Sequence, residues 1–304
     1  TVVFHSELVL VPSEQLGVFL STNAWDGRAG VRQLLAAFLD EFVPDLNDDP
    51  HPSPVIDGDV DLSAFQKYAG SYRSNRRAYS NWQKITALPS DLQVQLSPSG
   101  GVVIPKFYAP GKFQRYVETN DQGVFRSVDD PDDVISFRED ENGNVTQLFL
   151  SPYIAHDKVG AFESGNLHQL VLGVSLLIFV AVVIVSLRRF KLIRSLPVLE
   201  KRARIAVLSA SFFNVFFAIA LVVAVAGSIE TVIFTGLPAA GFIFSLPVIA
   251  GLLTLWAVLH VPAIWGQKTW TLWARIRYTI IVLLLILFAL ILNYWKVLGP
   301  WNIV

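Results

Sequence analysis

Five histidines, 25 carboxylates and no cysteine are the groups from which this 304-residue chain could build a reactive or metal-binding centre. Without cysteine there is no disulfide framework and no thiolate zinc site. Asp57, Asp59 and Asp61 alternate, as some calcium ligands do. The stretch lacks the turn glycine and distal glutamate of a calcium loop, so it reads as solvated linker. Serine becomes a nucleophile only beside a base, because a free hydroxyl is hardly ionised at neutral pH. The nearest arrangement is Ser74-Asn75-Arg76-Arg77, and a guanidinium does not give up its proton. No catalytic, cofactor-binding or metal-ligating residue is therefore assigned, and no cofactor is expected. Arg73, Arg76, Arg77 and Lys84 form a basic cluster. It could meet lipid headgroups or a carboxylate; solvated turn residues are the plainer reading.

The elements that would carry these residues fall into two unlike halves. Residues 1–165 hold 23 acidic and 13 basic side chains; residues 166–304 hold 2 acidic and 11 basic. Mean hydropathy is +0.48 and hydrophobic residues make up 53%, too apolar for an ordinary soluble domain. Crossing a bilayer takes about 20 apolar residues, and the second half offers four such stretches, near 169–187, 205–227, 239–261 and 278–297. Gly236-Leu237-Pro238 marks the turn into the third. Arg188, Arg189, Lys191, Arg194, Lys201, Arg202 and Arg204 lie between the first two spans, and Lys268, Arg275 and Arg277 between the last two. Basic loops stay in the cytoplasm, which would put residues 1–165 outside. Trp265, Trp270, Trp273, Trp295 and Trp301 read as interfacial anchors. Within the spans the polar groups are few: Asn214 reads as a helix-packing contact, His168 and His260 lie near span ends, and Pro247 marks a kink. An anchor or partner-binding bundle is expected rather than a pump.

In the outer half, Val2–Val11 and Leu16–Thr22 read as a hairpin around Pro12-Ser13-Glu14. Val31, Leu34, Leu35, Phe38, Leu39 and Phe42 follow with helical periodicity, forming an apolar face that should pack on that hairpin. Pro44, Pro50, Pro52 and Pro54 with many aspartates make 44–62 an extended linker. Residues 63–160 look all-β: Leu92, Val94 and Leu96 alternate, and 102–107, 113–118, 124–128, 134–138 and 145–150 read as short strands between turn signals. Asn142-Gly143 is a strong hairpin signal. Short strands at this spacing argue for a small antiparallel barrel or sandwich. A side-chain-filled barrel serving as a spacer is expected over one that binds a ligand.

"FHSELVLVPSEQLGVFLSTNAWDG" with the helix after it resembles the C-terminal end of the bacterial beta-lactamase-related serine hydrolases, the class C beta-lactamase and penicillin-binding-protein-like family. Ser6, Pro12, Gly17, Thr22 and Asn23 carry the likeness. "YAGSYRSNRRAYSNWQK" (68–84), "RYVETNDQGVFRS" and "ISFREDENGNVTQLFL" look like the lipocalin-like segment of one subgroup, and "NYWKVLGPW" (293–301) like its tail after the transmembrane helices. The resemblance implies a multidomain chain, α+β and membrane α-helical. Residues 1–43 would close a hydrolase domain, 44–62 link, 63–160 form a lipocalin-like barrel and 166–304 span the membrane.

The resemblance also implies what lies elsewhere. The family attacks with the serine of S-x-x-K, aided by the tyrosine of Y-x-N, and neither falls where the family places it here. Tyr79-Ser80-Asn81 spells the second motif but comes after the hairpin rather than well before it. The family's third motif is H-G-G or K-T-G, and His5 is not followed by the glycines it needs. With no methionine at all, the chain is expected to be the non-catalytic C-terminal part of an exported hydrolase acting on amides or esters. It would be anchored in a bacterial inner membrane, near cell-wall peptide or ester substrates. The competing expectation is a non-enzymatic receptor with an external β-domain. The acidic outer half argues against nucleic acid as a partner.

Overall fold

The computed structural model describes residues 4–24, 27–43, 62–105, 111–130, 133–151, 154–226, 239–266 and 269–302. Asp57, Asp59 and Asp61, residues 44–61 of the linker, and Gly236-Leu237-Pro238 lie outside them.

The chain opens on β1 (His5–Val11) and β2 (Leu16–Thr22), paired antiparallel from His5 opposite Thr22 to Val11 opposite Leu16. The turn is one short 3-10 segment, Pro12–Glu14, closed by Gln15 in the left-handed region at φ 54°. The helix α1 (Gly27–Phe42) packs on the pair and buries Val31 and Leu35. Leu34 and Phe42 of its periodic face stay exposed, because two strands are too narrow to cover the whole stripe. Side chains alternate across a strand, so α1 covers one face of the hairpin only. The other presents Leu8, Leu10 and Phe19, each more than 60% exposed. Among the described residues β1 and β2 form a sheet of two, leaving both outer edges unpaired.

Eight further strands close into a barrel: β3 (Gly70–Ser74), β4 (Leu92–Leu96), β5 (Val102–Pro105), β6 (Phe113–Glu118), β7 (Val124–Ser127), β8 (Val134–Glu139), β9 (Val145–Ser151) and β10 (Ile154–Val159). Each pairs antiparallel with the next, and β10 returns to β3 with His156 opposite Ser74. Closure removes every free edge. At Gly101, φ 78°, an added Cβ would lie 2.1 Å from the Tyr116 carbonyl oxygen, so the β4–β5 turn requires glycine. Inward positions carry Tyr72, Val94, Val102, Ile104, Phe125, Ile135, Phe137 and Leu148, all buried. The 3-10 segment Leu62–Tyr68 adds Tyr68, whose ring meets Phe125 edge-on at 4.9 Å. Side chains thus fill the barrel as a packed core.

Four helices are long and apolar enough to cross a membrane. They are α2 (Gly165–Arg188), α4 (Val198–Val225), α5 (Ala240–Leu259) running on through the short α6 (Val261–Gly266), and α7 (Leu272–Tyr294). The short α3 (Phe190–Arg194) joins α2 to α4. The second and fourth begin earlier than their apolar runs, so Lys201, Arg202, Arg204, Arg275 and Arg277 are helical rather than loop residues. Long basic side chains keep their charge at the membrane surface while their stems stay on the helix.

One sequence reading needs correcting. Trp295 and Trp270 are buried at 0% and 7% exposure, whereas Trp265, Trp273 and Trp301 are exposed. The first two pack inward because their rings bridge helices, so they are not lipid-facing anchors. Asn214 is buried too, but its amide donates to Ala210 O of its own helix at 3.1 Å. Its amide donor is satisfied one turn back, and its burial agrees with a place in the helix packing. His260 is likewise tied to its own helix, with Nδ1 2.8 Å from Trp256 O.

Candidate functional site

The β3–β4 connection is long, and sequence makes it structured. Asn81 accepts the Gln83 N–H at 3.1 Å and so starts the 3-10 segment Trp82–Ala87, as an N-cap does. Trp82 and Ala87 leave the barrel and join the apolar cluster of the helices, where Trp82 lies 6.0 Å from the Phe244 ring. The barrel therefore seats on one end of the bundle, the end where α2 begins and α7 stops.

Arg73 is the centre of this joint. Its neighbour Tyr72 points into the barrel, so by strand alternation Arg73 points out, yet it is only 2% exposed because the helices cover it. Its Nε and Nη2 donate to the two oxygens of Asp91 at 2.6 and 2.9 Å. Nη2 also reaches Glu163 O at 2.8 Å, and the guanidinium lies 4.8 Å from the Trp295 ring. Burial pulls the Arg73 pKa down, and Asp91 and Tyr294 together outweigh it, leaving it above the usual arginine value. A two-toothed, hydrogen-bonded pair of this kind is what makes a buried charge tolerable.

The same loop neutralises two helix ends. Asp91 Oδ2 accepts the Gly165 N–H at 2.6 Å, an anion at the start of α2. Lys84 Nζ donates to Tyr294 O at 2.8 Å and stands 3.9 Å from its ring centroid, a cation at the end of α7. Both signs complement the helix dipole. Burial lowers the Lys84 pKa, and the charges of Lys296, Arg73 and Arg77 lower it further. Gly165 admits the close approach: a Cβ there would sit 2.2 Å from Leu88 O. The Trp295 indole donates to His168 Nδ1 at 2.9 Å. An indole N–H can only donate, so His168 is neutral, with its proton on Nε2.

These contacts correct the reading of the basic cluster as solvated turn residues. Arg73 and Lys84 are structural, and Arg77 pairs with Asp157 at 3.3 Å. The serine and tyrosine of the motif-like strings have local roles. Ser74 Oγ accepts the Arg76 N–H, and the Tyr79 hydroxyl donates to Asn75 O. Asp91, His168 and Trp295 were not singled out as partners by sequence reasoning; Arg73 and Tyr294 are 221 positions apart. A strand charge neighboured by inward aromatics was the only local hint. Chemically the site couples rather than reacts: an ion pair on the barrel side sets Asp91 and Arg73 against the helices, and two capped helix ends and a buried indole make the joint.

No family model, curated protein or solved structure matches this chain.

Proposed function

We propose that the chain is the membrane-anchoring C-terminal part of an exported serine hydrolase that cleaves amides or esters through an acyl-enzyme. The barrel is its rigid spacer. One observation carries this reading: among the described residues the hairpin bears α1 on one face and leaves Leu8, Leu10 and Phe19 bare on the other, with both strand edges open. A two-stranded hairpin is barely stable alone. An apolar face with free edges calls for more strands alongside and a layer above, which is what the rest of a hydrolase domain would supply. The nucleophile, its lysine and the oxyanion hole then belong to that domain.

The test uses a fluorophosphonate or fluorescent penicillin probe. This chain should remain unlabelled, and a longer natural protein containing it should be labelled. Phe19→Ser should lower that labelling several-fold while leaving the melting of the barrel unchanged. A longer protein that no active-site serine probe modifies would instead favour a receptor whose hairpin face binds a separate partner.

The barrel lies at one end of the bundle and the arginine-rich turns at the other. Basic loops facing the cytoplasm would place the barrel outside a bacterial inner membrane, close to cell-wall or lipid substrates. The absence of cysteine makes this easy to check. Ser99→Cys, on an exposed barrel turn, should react with an impermeant maleimide in intact spheroplasts, and exposed Ser195→Cys only after lysis. The reverse pattern would invert the topology.

A further inference from the structure

At the end of the bundle away from the barrel, α2, α4 and α7 enclose a cleft of about 570 Å³. Its walls are the aliphatic side chains of the last turns of α2 and the first of α7, among them Val182, Val185 and Ile281. Its charged lining is one-signed: Arg189, Arg204 and Arg277, with no carboxylate among the lining residues. Arg204 is partly buried, and its guanidinium lies 5.2 Å from the Trp270 ring. Arg204 Nε and Trp270 Nε1 are both shut off from solvent without a hydrogen-bond acceptor. Buried donors of this kind cost free energy until something accepts from them. Arg275 keeps the Trp270 backbone in place by donating from Nε to its carbonyl at 3.1 Å. The nearby carboxylate of Glu200 accepts instead from the Thr269 hydroxyl at 2.9 Å.

We infer that this cleft is a binding site for an anionic phospholipid. Its phosphodiester pairs with the Arg204 guanidinium and, as the lining shifts to admit it, accepts from the Arg204 Nε–H and Trp270 Nε1–H, while Arg277 and Arg189 neutralise the remaining headgroup charge. An acyl chain lies along the aliphatic wall between α2 and α7. Charge complementarity selects the occupant. A zwitterionic lipid brings its own cation into a nest of three arginines, whereas a net negative headgroup does not. Free inorganic phosphate offers the acceptors but leaves the apolar wall uncovered. This inference needs neither the orientation nor the hydrolase assignment, because it concerns the end of the bundle remote from the hairpin and barrel.

Native mass spectrometry and thermal shift of the full chain in neutral detergent test it, titrated with phosphatidylglycerol, phosphatidylcholine or sodium phosphate. Phosphatidylglycerol should stay bound and raise the melting temperature more than phosphatidylcholine does, with phosphate a weak competitor. Arg204→Gln should weaken phosphatidylglycerol about tenfold or more, the loss of one charge-assisted hydrogen bond. Arg277→Gln, on an exposed position and so safe for folding, should reduce it less. Arg202→Gln, exposed and outside the cleft, should change nothing. Equal stabilisation by the two lipids would overturn the inference. So would a preference that survives in an Arg204→Gln/Arg277→Gln double variant, or full displacement of the lipid by phosphate.

Discussion

Replacing Asp91 with alanine should cost the barrel–helix joint about 3–5 kcal/mol, the usual penalty for leaving one member of a buried ion pair alone. The side chains of Arg73 and Asp91 are 3% and 1% exposed, so water cannot move in to solvate the guanidinium. The Gly165 N–H loses its acceptor in the same step, adding the cost of an orphaned helix-start donor. Hydrogen exchange should therefore rise first in residues 82–91 and at the start of α2, while the barrel amides remote from the joint stay protected. Thermal unfolding followed by tryptophan fluorescence, with Trp82 and Trp295 as local reporters, should show the same loss. The double variant Arg73→Met/Asp91→Leu should recover most of it, because removing both charges removes the desolvation penalty as well as the attraction. If Asp91→Ala melts like the wild type, the pair does not hold the two halves together.

Truncating Trp295 should have an effect of similar size. The ring is fully buried and packs between His168, Tyr294 and the Arg73 guanidinium. Trp295→Ala leaves a void against α2 and the loop carrying Trp82, for about 3–5 kcal/mol. Trp295→Phe keeps most of the ring but strips the donor from His168 Nδ1. That change should cost about 1–3 kcal/mol, the price of a buried acceptor left unmade. Because Arg73 touches both Asp91 and Trp295, the two truncations should not add: a double-mutant cycle should return a coupling of about 0.5–3 kcal/mol. Additive effects would mean that the indole and the ion pair stabilise separate elements.

The two experiments bear on function through stiffness. A barrel joined to α2 through Gly165 alone could pivot on the bundle. Joined at both the start of α2 and the end of α7, the barrel itself is held at one height and tilt on the bundle. The residues that enforce this are charged or aromatic, and the barrel they hold is filled with side chains, so its interior works as a solid body.

Most of the barrel strands were legible in the sequence because half-buried strands alternate, as 92–96 does, and because turn residues such as Asn142-Gly143 punctuate the rest. The closing strand β10 was not, because "IAHDKV" is half-exposed along its whole length, with no position fully buried. His156 there is tucked in enough for burial to lower its pKa, although the neighbouring Asp157 charge opposes the change. The joint was invisible for a different reason. Lys84, Arg73 and Trp295 look in sequence like a surface charge cluster and a membrane-edge aromatic. The helices convert them into a buried ion pair, a helix cap and a core side chain.

By itself the sequence determined the four apolar helices, the alternating strands, the uneven distribution of charge and the apolar stripe of α1, since each is a local pattern that any folded arrangement must respect. Tertiary structure alone decided that the strands close into one barrel, that this barrel is filled, and that Arg73, Asp91, Gly165, His168, Lys84 and Trp295 meet at a single point. It also decided which tryptophans face inward and which face of the hairpin stays bare. Those outcomes depend on burial, and burial depends on which distant segments come to lie against one another.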